Sequence, residues 1–305
     1  MSASERRVWV LNLDAETELA TRGPYTRSNH LTRILRAQEQ QLAATLVPAG
    51  DLVLSPEGLE ELRRSGEARG LQGVAWSPTP SALAALETVG ALTPAGTPGL
   101  TRLAEVNRRP FATRVRGGLG ELALSKVTAH SLDEVLESLA RPAELGWLVR
   151  RTFGAAGRGR RRIAAGRPSA LEQAWLEASL REGPLTLEPW VEVVTEFTRS
   201  GFVHASGRVQ LAAPTVQRTT REGAWLASEL ASADSLRQEH DDALQSALEA
   251  AGQALSAAGY SGAFGIDAFL HRWRGALELN PMSEINARYT MDWALGFADR
   301  RPDLG

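Results

Sequence analysis

Short apolar runs alternate with longer segments of mixed polarity along this chain, and the spacing inside each block names an element. Residues 8–13 (VWVLNL), bounded by Arg7 and Asp14, read as a buried strand. Ser28 and Asn29 cap a helix running to about Leu46. DLVLS at 51–55 and GVAW at 73–76 are two further strands, followed by helical EGLEELRRSG and by residues 81–90. Strands alternating with helices predict a parallel, Rossmann-like α/β lobe. The run LTPAGTPGL (92–100) reads as a connection, and LTRLAEVNRRPFATRVR after it as helical. A strand (121–129), a helix (131–139) with Ser131 and Glu134 as a capping box, and a strand (146–153) come next. The glycine-rich GAAGRGRRRIAAG (154–166), a helix at 169–182 and extended LTLEPWVEVVTEF (185–197) continue the chain. Two strands fill 197–225, and residues 240–259 form an amphipathic helix closed by Gly259.

Everything then converges on 259–296. A small-residue approach, Gly262-Ala263-Phe264-Gly265, leads into an apolar strand carrying one acid, Asp267, and a turn at 271–275 reverses the chain. The return holds Glu278-Leu-Asn280 and Glu284-Ile-Asn286. Residues i and i+2 of a strand share a face, so each pair can aim a carboxylate and an amide oxygen at one point. With Asp267 on the neighbouring strand this is a set of hard oxygen ligands, the kind magnesium takes. A plain hairpin with acids on its wet face would give the same residue pattern.

Composition narrows the rest. At 305 residues, 43% apolar and 23% charged, the chain fits an ordinary globular protein of more than one lobe. A net charge of −2 gives no electrostatic case for nucleic acid or an anionic membrane. With no cysteine there is no disulfide or thiolate chemistry. The start, MSASERRVWVLNLD, is too charged for a signal peptide, and no run approaches a membrane span, so a cytoplasmic protein is expected. Lys126 is the only lysine among 34 basic residues. The five histidines form no metal-ligand pair, and there is no G-x-S-x-G, no Walker loop and no dinucleotide fingerprint.

The 259–296 stretch resembles the C-terminal core of the ATP-grasp superfamily, in which an acid on one strand faces E-x-N on the next. LELNP looks like the ELNPR signature, and EINARYTM looks like the E-I-N-x-R-Y-T-M-G ending of less characterised ATP-grasp ligases. VNRRPF (106–111) resembles V-N-S-K/R-x-F, which implies a phosphate-contacting role for Arg109. Residues 146–166 are similar to the K-P-x-x-G-x-G-G-x-G loop. That implies Gly154, Gly157 and Gly159 let the backbone approach phosphates, with Arg150 or Arg151 in place of the strand-borne lysine. A blander reading of the arginines at 158–162 is a solvated basic loop. Glu188-Pro189-Trp190-Val191 looks like the family's hinge. There Glu188 would meet the adenine amine, the backbone at Trp190 and Val191 the ring nitrogens, and Glu192 or Glu196 the ribose. Trp190 serves equally well as core.

The resemblance covers about residues 100–300. It implies an α/β chain, α+β in its C-terminal half, with an ATP-grasp fold preceded by a Rossmann-like pre-ATP-grasp lobe. The expected divisions are 1–100, a small lid subdomain over 101–187, and a C-terminal subdomain over 188–305 holding the magnesium site. The implied activity is that of an ATP-dependent carboxylate–amine (or thiol) ligase using Mg2+ or Mn2+, acting on a small carboxylate-bearing substrate through an acyl phosphate. Alternatives are an ATP-grasp kinase and a non-catalytic nucleotide-binding module; a homodimer is compatible, with no nucleic-acid or membrane partner. Asp267 would hold the metal with Glu284 and Asn286, or with Glu278 and Asn280, while Arg288 stabilises the transferring phosphoryl group. Arg288 favours Glu284, which it follows, whereas Met282 stands where ELNPR has its arginine. The sequence also departs from the pattern in having arginine for both lysines and Asp292 where the related ending has glycine.

Overall fold

The computed structural model describes residues 6–304 apart from Arg22, Ala95, Glu121, Ala123, 155–158 and 221–224. Its strands form three sheets. The first is parallel, order β2-β1-β3, from β1 (Arg7–Val10), β2 (Leu52–Val53) and β3 (Gln72–Ala75). Ser28 caps the helix Asn29–Leu46, its Oγ accepting from Leu31 N, as the sequence predicts.

The second sheet is antiparallel, order β4-β7-β5-β6, from β4 (Val127–Ala129), β5 (Trp147–Arg150), β6 (Arg160–Ile163) and β7 (Leu185–Pro189). Of the strand expected over 121–129, the described residues form Val127–Ala129. Ser131 caps its helix, but Glu134 returns its bond to the amide of His130 instead of Ser131. The reciprocal capping box is at Ser169 and Glu172.

The third sheet is the largest: β8 (Glu192–Val203), β9 (Val209–Thr219), β10 (Trp225–Leu230), β11 (Gly262–Trp273) and β12 (Ala276–Asn286), antiparallel in the order β10-β9-β8-β11-β12. The period-2 rule sorts β11 cleanly. Phe264, Ile266, Ala268 and Leu270 pack with Leu244, Leu248, Ala251 and Leu255 of the helix Gln238–Ala257 in one buried core. Asp267 and Phe269, on the opposite face, line a cleft toward the second sheet.

Two segments pack away from their sequence neighbours. Leu103, Val106, Phe111 and Ala112, from helices Leu100–Val106 and Arg109–Gly117, join the core of the third sheet although they precede the second. Tyr289, Trp293 and Phe297 fold back onto Trp9, Leu42 and Leu46 of the first lobe. These crossings tie the third sheet to the helices that precede the second and to the first lobe. Among the described residues no helix is long and apolar enough to cross a membrane.

Candidate active site

The site begins with a hairpin whose register changes partway. Arg274 and Gly275, both at positive φ (49° and 82°), turn β11 into β12. Pairing runs through His271 with Glu278 to Phe269 with Asn280, then shifts, so that Asp267 faces Glu284 and Gly265 faces Asn286. Between Asn280 and Glu284 lie Pro281, Met282 and Ser283. Pro281 has no N–H for the ladder, Met282 is fully buried in the core, and the Ser283 carbonyl accepts from Lys126 Nζ at 2.6 Å. This bulge makes the 17-residue separation of Asp267 and Glu284 a directly opposed pair.

Thr198 Oγ1 donates to Asp267 Oδ1 (2.9 Å) and Asn286 Nδ2 to Asp267 Oδ2 (3.0 Å). Burial and the nearby Glu284 charge push the Asp267 carboxyl up to about 7. Burial opposes ionisation of Glu284 too, but Arg109, Arg150, Lys126 and Arg288 outweigh it and hold that carboxyl below its usual range. Two facing carboxylates fit a hard divalent cation that takes its remaining ligands from phosphates, while Asn286 turns its amide nitrogen to Asp267 and its oxygen to Arg288, so its amide would have to turn over to join them. Among the described residues there is no cluster of three or more His, Asp or Glu that could hold a metal unaided. Glu278 and Asn280 do not join the pair. Glu278 lies opposite His271, four residues along β11, and Asn280 is buried with neither amide atom hydrogen-bonded. Their assignment as metal ligands is corrected by the bulge, which carries Glu284 to Asp267.

Around this pair stand arginines. Arg109, first residue of its helix, donates to the carbonyls of Arg151 (2.9 Å) and Gly154 (2.7 Å) and meets Glu284 at 3.0 Å. Arg150 lies 3.0 Å from Glu188 and 3.9 Å from Glu284. Arg288 donates to Asn286 Oδ1 (2.9 Å) and to Glu16 Oε1 (3.0 Å). Arg151 does not belong with them, because it turns away to Ser179 and Glu182 and sits over the Trp175 ring. Successive residues of a strand point to opposite faces, so Arg150 faces the cleft and Arg151 does not.

Asp267, Glu284, Asn286, Arg288, Arg109, Arg150 and Gly154 all line one cleft of about 260 Å3. At its other end are Leu148, Glu188, Trp190, Val191, Glu196 and Phe269. Glu188 is 2% exposed, and its carboxylate faces Arg150, Arg116 (3.7 Å) and Lys126 (4.0 Å). Burial raises its pKa and these cations more than reverse that, so protein charges hold it as an anion lining the cleft, with neither carboxylate oxygen hydrogen-bonded. Trp190 gives its N–H to the Gly146 carbonyl (2.8 Å), which leaves Val191 as the hinge amide to consider. Glu196 accepts from Thr219 Oγ1 at 2.5 Å, whereas Glu192 is exposed near Arg272. Gly159, at φ 69°, accepts from the Arg151 amide (2.8 Å). Gly157 lies outside the described residues.

Sequence reasoning missed Glu16, Lys126 and Arg116. Glu16 follows the carboxyl end of β1, where open α/β sheets present their ligand groups. Lys126 carried a signal in being the sole lysine; burial pushes its ammonium down to about 8 against the pull of Glu188. Arg116 is buried on the face of its helix turned to Glu188, and only the fold shows it. Asp292 is also explained: it accepts from Thr215 and Thr290 (2.6 Å to Thr290) and holds the segment after the site in place.

No family model matches the chain, and no curated protein matches it significantly. Solved structures do. Biotin carboxylase from Campylobacter jejuni, as its β,γ-ATP complex, superposes with TM-score 0.59 at 12% identity, over 96% of this chain and 67% of that one. D-alanine–D-alanine ligase from Bacillus anthracis, complexed with ATP, gives 0.54 at 12% identity over 99% and 96%. N5-carboxyaminoimidazole synthetase from Staphylococcus aureus, complexed with ADP, gives 0.52 at 9% identity over 95% and 73%. A parallel first lobe, a small four-stranded sheet and a large antiparallel sheet closing on one cleft give this chain the ATP-grasp fold.

Proposed function

We propose that the protein is an ATP-dependent ligase that activates a substrate carboxylate as an acyl phosphate and joins it to an amine. The observation that carries this reading is the facing pair Asp267 and Glu284, bracketed by Asn286 and by three guanidinium groups on one cleft wall. ATP would lie with its base against Leu148, Val191 and Phe269, its ribose at Glu196 and its phosphates toward Arg109 and Arg150. Magnesium, held by Asp267, Glu284 and Asn286, would neutralise phosphate charge. Positioning and charge neutralisation are what phosphoryl transfer chiefly needs.

The substrate carboxylate attacks the γ-phosphorus, the bond to the β,γ-bridging oxygen breaks, and ADP leaves. Arg288, oriented by Glu16 and Asn286, neutralises the acyl phosphate. The amine then attacks the acyl carbon, phosphate departs with the bonding electrons, and the amine gives up a proton. Glu16, at the same mouth, is a carboxylate able to receive it.

The test is ADP release with a panel of acids, using hydroxylamine as nucleophile so that any acyl phosphate is trapped as a hydroxamate. Acid-dependent ADP with hydroxamate is the expected result. Acid- or alcohol-dependent ADP without hydroxamate would make the protein a kinase, and ATP binding without ADP would make it a binding module.

A further inference from the structure

A second cavity, of about 330 Å3, lies along the edge of β3, between the first sheet, Pro94, Gly96, Thr97 and Pro98 of the connection, and the start of β11. That volume is in the range of ~300–1,000 Å3 usual for small-molecule sites. Arg288 lines both this cavity and the nucleotide cleft. Its guanidinium reaches the cleft through Asn286 and Glu16 and lies 5.5 Å over the Trp76 ring, which belongs to the second cavity. Tyr289, next in the chain, forms part of the wall and gives its amide to the Trp76 carbonyl.

We infer that this cavity holds the body of the acid substrate, with its carboxylate at Arg288, and that the acid is hydrophobic, bearing an aromatic or branched aliphatic group. The inference rests on the ligase reading. The walls carry Trp76, Phe202, Tyr260 and Tyr289, with Val74 and Pro98. Both tyrosine hydroxyls are already spent, Tyr260 on the Ala263 carbonyl and Tyr289 on Asp303 (3.2 Å), so the rings offer their apolar surfaces. Asp303 is neutralised in turn by Arg301 at 2.6 Å. Arg7 gives one amino group to the Leu304 carbonyl (2.6 Å), and its other is buried without a hydrogen-bond partner. Arg288, which alone of the two arginines also lines the nucleotide cleft, is the cation at the reacting end, and the ring faces beyond it are a surface an apolar group would cover. Flat rings and proline favour occupants that fill the space by contact area.

Hydroxamate formation with saturating ATP and Mg2+ tests this. Phenylalanine, 3-phenylpropanoate or leucine should show a KM at least tenfold below that of glycine or acetate, since each methylene filling a pocket is worth roughly ten- to 200-fold in discrimination. Thr97→Trp and Val74→Trp fill the cavity from two walls. Each should raise the KM for the hydrophobic acid at least tenfold and leave ATP affinity, measured by calorimetry, within twofold. Hydrogen exchange at 72–76 should slow when the acid is added. Equal use of glycine and the larger acids would overturn the inference while leaving the ligase reading standing. So would ATP-binding variants with unchanged acid KM, or variants that raise only the amine's KM. Failure of every acid to give hydroxamate would remove the ligase reading and this one with it.

Discussion

Glutamine in place of Glu284 removes the carboxylate that faces Asp267; glutamine in place of Glu278 acts at His271, four strand positions away. At ~3.3 Å per residue that offset is about 13 Å. In an effective dielectric of 20, a unit charge 4 Å from another contributes about 4 kcal/mol, and at 13 Å about 1.3 kcal/mol before screening. A divalent ion doubles both, to about 8 and about 2.6 kcal/mol as limits, and screening over 13 Å cuts the second to below about 1 kcal/mol. Two effects reduce the near figure: Glu284→Gln relieves repulsion on Asp267, and it leaves Arg109 free to turn to phosphate. About 4 kcal/mol should survive, so kcat is expected to fall roughly 10^3-fold or more for Glu284→Gln and less than tenfold for Glu278→Gln. Hydroxamate formation, with thermal melts to show both variants folded, is the assay. A dead Glu278→Gln beside an active Glu284→Gln would refute the bulged register as the basis of the site.

Three further outcomes follow from the same geometry. Because the Asp267 carboxyl sits near 7, a divalent ion must displace its proton below that pH. Mg2+-dependent ATP binding should therefore weaken as pH falls from 7 to 6, approaching tenfold per unit, and level off above 8; calorimetry giving one affinity from pH 6 to 8 would contradict this. Arg150→Ala should lower ATP affinity at least tenfold. Arg151→Ala should leave it within twofold and cost about 1 kcal/mol of stability through its pair with Glu182 and its stacking on Trp175. Gly201→Ala would place a Cβ 2.5 Å from the Phe264 ring, so an overpacking loss of about 1–3 kcal/mol should appear in urea titration; unchanged stability would mean the sheet yields there.

Much of this was legible because the local rules and the fold agree. The period-2 pattern of β11 and the capped helix Asn29–Leu46 stand where the sequence puts them. So does the turn in the 271–275 stretch. What could not be read was set by distant pairing. The shift that brings Glu284 to Asp267 depends on Met282 being accepted by the core beneath. Arg150 and Arg151 differ only in the face of β5 and its extension they occupy, and the neighbours that fix that face, Glu188 and Ser179, are about 30–40 residues on in the chain. Glu188 matches the hinge motif, yet its charge surroundings are set by Arg116 and Lys126, which no motif connects to it.

The charges also explain why the site needs Arg109 at a helix start. Glu284 must remain an anion beside Asp267, whose own ionisation it opposes, and burial works against both. A surface arginine could not supply the field, because water would screen it. Arg109 is 6% exposed and immobilised by the carbonyls of Arg151 and Gly154, so its charge is delivered to Glu284 with little reorganisation. The same two bonds tie the start of the glycine-rich segment to the carboxylate pair. A phosphate group drawing Arg109 toward itself would act at once on the backbone at Gly154 and on the charge balance at Glu284. In the proposed function, phosphate recognition and the carboxylate pair would therefore be one electrostatic unit, joined through a single guanidinium.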